Sequence, residues 1–218
     1  MKKERIDKLV VQSGLTESRE QARRLIMAGQ IYDSQNQRYD KPGEKVDASK
    51  VFHIKGKTLP YVSRGGLKLE KAIKVFDIDM TDQILLDIGA STGGFTDAAL
   101  QFGAAKSYAL DVGYNQLAYS LRQDPRVIVM ERENFRYAQP DQFQEGQPSV
   151  ASIDVSFISL RLILPPLVPI LAPGGTVLML IKPQFEAGKE RVGKKGIVKD
   201  PAVHFDVLKE ILSYACGL

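Results

Sequence analysis

A glycine-rich turn that follows an apolar run is the first stretch of this sequence whose residue types could build a ligand site. Residues 87–96 (DIGASTGGFT) follow the apolar run 84–86 and lead into residues 97–100, which have the composition of a helix. A strand that ends in an acidic residue, followed by such a turn and a helix start, builds a nucleoside-sized cradle at the edge of a parallel sheet. Glycine lets the backbone approach a ligand where a Cβ atom would collide. The expected cofactor-binding residues here are Asp87, Gly89, Ser91, Thr92, Gly93 and Gly94.

The spacing of these glycines separates two kinds of nucleotide-binding turn. A dinucleotide fingerprint needs glycine at positions 89, 91 and 94, and position 91 is Ser. The pattern D-x-G-x-x-x-G-G that stands here instead resembles motif I of the S-adenosylmethionine-dependent methyltransferases. That resemblance implies S-adenosylmethionine as the cofactor.

Polar side chains at the ends of the next two predicted strands extend the same site. Asp111 lies 24 residues after Asp87, where a carboxylate can accept hydrogen bonds from the two ribose hydroxyls of a nucleoside. The alternative for Asp111 is an ordinary N-cap of a helix that begins near Tyr114. Asn134 follows the third strand, and it is expected either to pair with the adenine amino edge of the cofactor or to form an ordinary turn.

Two charged residues, Asp154 and Lys182, follow the fourth and fifth predicted strands. Because the carboxyl ends of neighbouring parallel strands open into one crevice, we expect these side chains to face each other. A Lys that follows four apolar residues is costly to bury, so it is expected to be paired or functional. Lys68, near the start of the helix that opens this region, is predicted to reach the same crevice. The alternatives are a purely structural Asp154–Lys182 pair and an ordinary surface lysine at position 68.

The strands and helices that must position these residues alternate from residue 61 onward. Apolar runs predict strands over 83–88, 107–111, 127–131, 150–154 and 175–181. Helical spacing predicts helices over 67–76, 94–102, 114–121, 160–171 and 201–215. This alternation predicts an α/β fold over residues 61–218, a doubly wound, Rossmann-like sheet that binds its ligands at the carboxyl ends of the strands. Residues 55–60 read as a short linker before it.

Residues 1–57 predict a small, separate domain. Apolar residues at helical spacing predict a helix over 5–12, and Ser18 with Gln21 forms the capping box of a second helix. Short strands are expected at 31–32 and 51–54. The segment resembles the S4 RNA-binding domain, a small α+β fold. The strings that carry this resemblance are 5–7 (RID), 18–29 (SREQARRLIMAG) and 41–46 (KPGEKV).

The S4 resemblance implies that basic residues of this segment contact RNA. Arg19 and Arg23 lie four residues apart and share one helix face, where they can bind successive phosphates. The full set of expected RNA-binding residues is Arg5, Arg19, Arg23, Arg24, Lys41 and, in the second domain, Arg64. One departure is visible, since the family usually has Asn-Gly in the hairpin turn where this chain has residues 33–37 (DSQNQ).

Charge is divided unevenly along the chain. Residues 1–75 hold 17 Lys and Arg against 9 Asp and Glu, whereas the remaining residues hold 13 against 17. This excess predicts that the N-terminal third meets a polyanion, although a solvated basic face has the same composition. A single Cys excludes a disulfide framework within the chain. We expect a soluble, cytoplasmic protein, because no apolar run reaches the roughly 20 residues of a membrane span and the first residues lack the apolar core of a signal peptide.

Five strings of the second domain together resemble one family, the haemolysin A (TlyA-like) proteins, in which an S4 domain is fused to an FtsJ-like ribose 2′-O-methyltransferase. The strings are 62–69 (VSRGGLKL), 87–96, 111–114 (DVGY), 154–160 (DVSFISL) and 182–186 (KPQFE). The resemblance implies methyl transfer from S-adenosylmethionine to a ribose 2′-hydroxyl of ribosomal RNA, with no metal ion. The partner it implies is therefore ribosomal RNA or a ribosomal subunit.

The same resemblance implies the catalytic residues. The FtsJ-like pattern is a Lys-Asp-Lys-Glu tetrad, and its first three members map onto Lys68, Asp154 and Lys182. Lys182 is expected to accept or steer the hydroxyl proton, while Asp154 and Lys68 set its charge and orientation. The fourth member, a Glu after the last helix, has no counterpart, and Glu186 follows Lys182 too closely to replace it. A sheet of this class usually gains two more strands after the last helix, so a truncated chain that lacks its last strands is expected.

Two other classes of function stay open at this point. An RNA-binding assembly factor would keep the fold without turnover, and the missing Glu favours it. A membrane-active haemolysin, which the family name suggests, conflicts with the absence of a spanning or strongly amphipathic apolar segment. The basic, glycine-rich loop over 186–196 is expected either to close over RNA or to be an ordinary solvated loop.

Overall fold

The computed structural model describes residues 3–56 and 59–218, and the chain divides into two units, residues 1–59 and 60–218. Each unit has an apolar core of its own. The elements of the first unit, in chain order, are β1 (Lys3–Arg5), α1 (Ile6–Gln12), α2 (Arg19–Met27), β2 (Ile31–Asp33), β3 (Arg38–Tyr39), β4 (Lys45–Asp47) and β5 (Phe52–Ile54).

The two helices of the first unit pack together over short antiparallel strands. β1 pairs with β4, and β2 lies between β3 and β5. The core between the helices contains four side chains with no exposed surface, Ile6 and Val10 from α1 and Ala22 and Ile26 from α2. The two predicted helices and the strands at β2 and β5 are confirmed. The sequence did not predict β1, β3 and β4, because these short strands (KER, RY and KVD) are rich in charged residues and lack the apolar run that marks β2 and β5.

The start of α2 shows a variant of the predicted capping box. The Ser18 hydroxyl accepts a hydrogen bond from the Gln21 N–H at 3.2 Å, as expected of an N-cap. The Gln21 side chain, however, accepts from the N–H of Glu17 at 3.1 Å, one residue earlier than the box requires. The helix start is therefore fixed by two side-chain contacts, and α2 holds its basic residues in a defined register.

The second unit contains the larger sheet. Its elements, in chain order, are α3 (Gly65–Val75), β6 (Ile84–Ile88), α4 (Gly94–Gln101), β7 (Lys106–Asp111), α5 (Tyr119–Arg122), β8 (Val127–Glu131), β9 (Val150–Ile153), α6 (Leu164–Leu167), β10 (Thr176–Met179), α7 (Pro183–Glu186) and α8 (Pro201–Cys216). The five strands are parallel and stand in the order β10-β9-β6-β7-β8, so all five predicted strands are confirmed.

Apolar side chains cover both faces of this sheet. Leu86 and Ile88 of β6 belong to a cluster that includes residues of α6 and α8, whereas Leu85 belongs to a cluster with α3, α4 and α5. The sheet is thus a middle layer between two layers of helices, which is the predicted doubly wound α/β architecture. The strand order reverses between β6 and β9, and in such sheets ligands bind in the crevice outside the carboxyl ends at that switch point.

Two predicted helices differ from the structure for local reasons. The expected helix over 114–121 is only α5, because residues 112–118 form a loop in which Asn115 takes a positive φ of 57°. The expected helix over 160–171 breaks into a 3-10 turn and the short α6, since the prolines within it lack the backbone donors that a long helix needs. Across residues 3–56 and 59–218, the structure has no helix that is long and apolar enough to cross a membrane.

Candidate active site

The turn after β6 is shaped by close contacts with the rest of the protein. Gly89 has a φ of +87°, and a Cβ atom there would lie 2.8 Å from the backbone oxygen of Asp154. Gly93 has a φ of +90°, and its Cβ would lie 2.3 Å from the side chain of Leu121. The sequence predicts that a ligand approaches these glycines, whereas the structure shows protein neighbours that already require glycine at both positions. The contact at Gly89 brings the end of β9 against the turn.

A second close approach positions Lys68. A Cβ at Gly94 would lie 2.9 Å from the backbone nitrogen of Gly66 and 2.3 Å from the hydroxyl of Ser63. The first turns of α3 and α4 therefore touch through their backbones, which only glycine permits. The Val62 N–H also donates to the Asp97 carboxylate of α4 at 2.7 Å. These contacts hold the start of α3, and with it Lys68, beside the switch point.

Asp87 lies beneath the turn, where it has 1% of its surface exposed. Its carboxylate accepts hydrogen bonds from the N–H and hydroxyl of Thr96, at 3.1 and 2.9 Å, and from the hydroxyl of Ser152 at 3.1 Å. Burial raises the pKa of Asp87 to about 6, because these neutral donors offset only part of the lost hydration. The structure therefore places Asp87, predicted to bind the cofactor, where it supports the turn between β6, α4 and β9.

Asp111 closes the turn from the side of β7. Its two carboxylate oxygens accept the N–H of Ser91 at 2.8 Å and the N–H of Gly113 at 2.7 Å. No helix begins at Tyr114, so the alternative of a helix N-cap is not what the structure shows. A carboxylate has about four acceptor positions, so the half-buried Asp111 keeps capacity for hydroxyl donors such as those of a ribose. Ser91, at a φ of +49°, and Thr92 complete the accessible part of the turn.

Asn134 lies at the end of β8 with an exposed side chain. Its side-chain oxygen accepts the N–H of Arg136 at 3.2 Å and caps a short 3-10 helix, which is the turn-forming alternative. Next to it, the Arg132 guanidinium lies 4.1 Å from the centre of the Tyr114 ring, and the Arg132 N–H donates to the Gly113 carbonyl. This Tyr114–Arg132 pair borders Asp111, and sequence reasoning missed it because it joins two loops whose pairing no local pattern indicates.

The side chains of Lys68, Asp154 and Lys182 meet at the switch point. The Lys182 ammonium lies 2.5 Å from one oxygen of Asp154, and the Lys68 ammonium lies 2.8 Å from the other. Partial burial would raise the pKa of Asp154, but the hydrogen bonds from Lys182 and Lys68 outweigh it and hold that pKa below its usual value. The sequence predicted this convergence of three residues, the first of them 86 residues before the second.

Lys182 is the more constrained of the two lysines. Besides Asp154, its ammonium donates to the carbonyl of Val155 at 2.7 Å and to the hydroxyl of Ser156 at 3.2 Å. Its side chain is 21% exposed, against 53% for Lys68. An ammonium has three N–H donors, so these three partners fix its orientation completely. Lys68 contacts only Asp154 among the described residues and is more exposed, so its side chain can adjust to a bound molecule.

Glu186 joins the two loops that carry these charges. It accepts the hydroxyl of Ser159 at 2.6 Å and the N–H of Leu160 at 2.8 Å. Phe157, in the loop between Asp154 and Ser159, takes a φ of +63°. Its ring lies 5.2 Å from the ring of Phe185. The conformation of residues 154–160 is therefore stabilised by contacts with residues 182–186. Glu186 is used within the protein, and the sequence offered no signal for this contact across 26 residues.

The basic residues expected to bind RNA have mostly exposed side chains. Arg19 and Arg23 project from α2, and Arg5, half-buried, and Arg19 both contact Asp7. The remaining members of the set, all exposed, are Arg24, Lys41 and Arg64. The loop over 186–196 is in part anchored, since Arg191 donates to the Ala187 carbonyl at 2.8 Å and pairs with acidic residues of α8.

Comparison with known proteins assigns this architecture to a family. The family model of the FtsJ-like methyltransferases matches residues 61–217, and that of the S4 domain matches residues 4–51. The chain belongs to the FtsJ-like methyltransferase family. The sequence-based prediction of an S4 domain followed by an FtsJ-like domain is confirmed.

Individual relatives agree with this assignment. The chain is 63% identical over 216 residues to YqxC of Bacillus subtilis, which carries an rRNA methyltransferase name, and the match covers 99% of this chain and 76% of YqxC. It is 43% identical over 203 residues to the 16S/23S rRNA (cytidine-2′-O)-methyltransferase TlyA of Mycobacterium tuberculosis, covering 90% and 73% of the two chains. A solved structure of a Streptococcus thermophilus protein with the hemolysin name has a TM-score of 0.74 at 57% identity, over 99% of this chain and 78% of that one.

Proposed function

We propose that this chain transfers a methyl group from S-adenosylmethionine to a ribose 2′-hydroxyl of ribosomal RNA. The observation that carries the proposal is the meeting of Lys68, Asp154 and Lys182 beside the turn 87–94, at the switch point of a methyltransferase sheet. The name of the TlyA relative, an rRNA (cytidine-2′-O)-methyltransferase, supports the same reaction and substrate. Because ribosomal RNA is the substrate, a cytoplasmic location is part of the proposal.

The cofactor is proposed to lie along the turn after β6. S-adenosylmethionine, when bound, supplies a methyl group that its sulfonium activates for transfer. The accessible backbone of the turn, at Gly89, Ser91 and Thr92, is proposed to form the cradle, and the buried Gly93 and Gly94 give the turn its shape. Asp111 accepts ribose hydroxyls, and Asp87 keeps the turn in shape from beneath. The Asn134 side-chain oxygen has a second lone pair beside its contact with the Arg136 N–H, and that lone pair is proposed to accept the adenine amino group.

The chain's own residues are proposed to orient the ribose hydroxyl and manage its proton. Lys182, fixed by Asp154 and two loop oxygens, steers the ribose hydroxyl as an ammonium, and it accepts the hydroxyl proton once it has released one of its own protons to solvent. Asp154 remains ionised, since its pKa is held low, and it orients both lysines. Lys68 has the more exposed side chain, so its ammonium can change position to contact the ribose when RNA binds. In-line positioning of this kind accounts for much of the barrier reduction when the transferred group is already activated.

The first unit is proposed to bring the RNA. We assign residues 1–57 to an S4-type RNA-binding domain and residues 61–218 to the methyltransferase domain. The basic residues proposed to contact RNA are Arg5, Arg19, Arg23, Arg24 and Lys41, together with Arg64 of the second domain. Contacts of this kind read phosphates and RNA shape, so they supply affinity for ribosomal RNA or a ribosomal subunit.

Replacing Lys182 tests the proposal. The variant Lys182→Ala should lower methyl incorporation into unmodified ribosomal RNA by at least about 100-fold, the scale of a positioned proton-transfer group. Lys209→Ala is the matched control, because Lys209 is an exposed lysine of the same domain on α8. A Lys182→Ala rate near that of the parent would contradict the role of Lys182. RNA binding by the parent chain with no methyl incorporation would favour the assembly-factor alternative.

A further inference from the structure

A buried carboxylate, Asp7, lies between two arginines of the first unit. The Arg5 Nε and Nη2 atoms donate to its two oxygens at 3.0 and 2.9 Å, and the Arg19 Nη2 atom donates at 2.8 Å. The Asp7 side chain has no exposed surface, whereas those of Arg5 and Arg19 are 39% and 53% exposed. Hydrogen bonds from Arg5, opposed by burial and reinforced by Arg19, hold the pKa of Asp7 far below its usual range.

The backbone around Asp7 leaves this carboxylate little freedom. Asp7 lies in the first turn of α1, and its N–H donates to the carbonyl of Pro42 at 3.2 Å. The neighbouring Ile6 N–H donates to the carbonyl of Glu44 at 2.9 Å. α1 in turn packs against α2, which carries Arg19. A rigid, buried acceptor therefore holds two long side chains that come from different elements.

The two arginines retain donors after they contact Asp7. A guanidinium has five N–H groups in a planar fork, of which Arg5 uses two groups and Arg19 one on this carboxylate. The two arginines and Asp7 leave one net positive charge at the surface, since Glu4, which also lies near Arg5, is paired with Lys8 at 3.6 Å. A phosphate is the ligand that such paired, oriented guanidiniums fit, because each can donate to its oxygens in a fixed geometry.

We propose that Asp7 is a positioning residue that builds a phosphate-binding site for the RNA backbone from Arg5 and Arg19. The inference rests on the proposed function, which assigns RNA binding to the first unit. The carboxylate fixes two side chains that would otherwise lose rotamer freedom upon binding RNA. This pre-organisation lowers the entropic cost of binding. Asp7 itself is buried and touches no RNA.

Removing the carboxylate separates positioning from simple charge attraction. Asp7→Asn adds one positive charge to the unit, so attraction by net charge alone predicts tighter RNA binding. Positioning predicts the opposite, and we expect about tenfold weaker binding, the scale of a charge-assisted hydrogen bond. Asp40→Asn is the matched control, because Asp40 is an exposed residue of the same unit and its replacement makes the same charge change.

The experiment is a titration of purified ribosomal RNA with the full chain and its variants at several salt concentrations. Asp7→Asn should bind more weakly than the parent, while Asp40→Asn binds as tightly or more tightly. Arg19→Lys, which keeps the charge but loses the fork, should also bind about tenfold more weakly. Adding Asp7→Asn to Arg19→Lys should weaken binding further, because Arg5 then loses the acceptor that positions it. Thermal unfolding of each variant shows whether the first unit is intact. If Asp7→Asn does not fold, the binding of Arg19→Lys is the result that tests the proposal.

The possible outcomes separate this inference from the function on which it rests. Asp7→Asn binding at least as tightly as Asp40→Asn would overturn the positioning role while RNA binding by the parent stands. Arg19→Lys binding like the parent would overturn it as well. A parent chain that binds no ribosomal RNA would overturn the proposed RNA-binding role of the first unit and this inference with it.

Discussion

At the scale of single residues, two carboxylates near the switch point differ in the charge of their donors. Asp87 receives hydrogen bonds from neutral hydroxyl and N–H groups, and burial raises its pKa to about 6. Asp154 is partly buried, which would raise its pKa, but it receives two ammonium groups that hold the pKa low. Asp87 therefore carries the cost of a buried charge to shape the turn, whereas Asp154 is a stable anion for the two lysines.

The raised pKa of Asp87 predicts a specific pH dependence of stability. The folded protein binds the Asp87 proton more tightly than the unfolded chain, whose usual pKa is 3.8. The contribution of Asp87 to the free energy of unfolding is thus largest below about pH 4, falls as the pH rises towards 6, and is constant above. Asp87→Asn removes this titration and keeps a polar partner for Thr96 and Ser152. Relative to the parent, the variant should gain about 2 kcal/mol between pH 4 and pH 7.

Denaturant unfolding of parent and variant at the two pH values measures this difference. The protonation of a distant carboxylate with a lowered pKa, such as Asp7 of the first unit, also destabilises the protein as the pH falls, and it does so equally in both proteins. The difference between parent and variant therefore isolates Asp87. An equal difference at pH 4 and pH 7 would show that the pKa of Asp87 is not raised.

At the same scale, the sequence predicted residues that end strands and missed residues that act across the fold. Lys68, Asp154 and Lys182 stood out because each is a charge beside an apolar run or a glycine turn. Asp7 and Glu186 did not, because their importance lies in partners that only folding brings together. When a polar residue lies among other polar residues, the sequence does not indicate that its side chain will be buried.

At the scale of elements, the loop after β9 depends upon the segment after β10. Glu186 holds Ser159 and Leu160, and Lys182 holds Val155 and Ser156, so the loop is fixed at both ends. The positive φ of the intervening Phe157 disfavours this loop conformation, and these contacts hold it in place. Lys182, Asp154 and the loop thus form one interlocked unit.

Removing the contact at Glu186 should therefore impair turnover without removing the cofactor site. Glu186→Ala leaves the Leu160 N–H and the Ser159 hydroxyl without their acceptor, and we expect about tenfold slower methyl transfer. S-adenosylmethionine affinity, measured by calorimetric titration, should stay within about twofold, since the turn 87–94 is not among Glu186's contacts. Glu186→Gln, which keeps one acceptor, should recover part of the rate.

Two results would contradict this account of Glu186. One is methyl transfer by Glu186→Ala at the parent rate. The other is loss of rate and of cofactor affinity in equal measure, which would indicate a general loss of folding instead of a displaced loop.

The elements also show which part of the fold was predictable. All five parallel strands were predicted because long apolar runs between turn residues identify buried strands. The prediction of one helix over 160–171 was wrong because prolines interrupt the helix in spite of its apolar spacing. The helix over 114–121 is shorter than predicted because its first half is a loop, in which the Gly113 N–H donates to Asp111. The backbone contact between α3 and α4, which places Lys68, depends on glycines whose spatial partners the sequence does not name.

At the scale of the whole molecule, we propose that affinity and chemistry are divided between the two units. The positive excess lies in residues 1–75, while the remaining residues, which include the turn and two of the three catalytic candidates, are acidic on balance. Backbone phosphate contacts supply affinity that carries no sequence information. In this account the first unit holds RNA, and the second performs one reaction upon a ribose that reaches its crevice.

The chemical position of the transferred methyl group tests the central claim most directly. Unmodified ribosomal RNA is incubated with the full chain and S-adenosylmethionine labelled in its methyl group, then hydrolysed completely with alkali. Alkaline cleavage of RNA uses the 2′-hydroxyl as the nucleophile, so a 2′-O-methyl group protects the adjacent phosphodiester. We predict that the label appears in alkali-stable dinucleotides with the parent chain and is lost with Lys182→Ala. Label in mononucleotides, which marks a methylated base, or no label in the RNA would contradict the account.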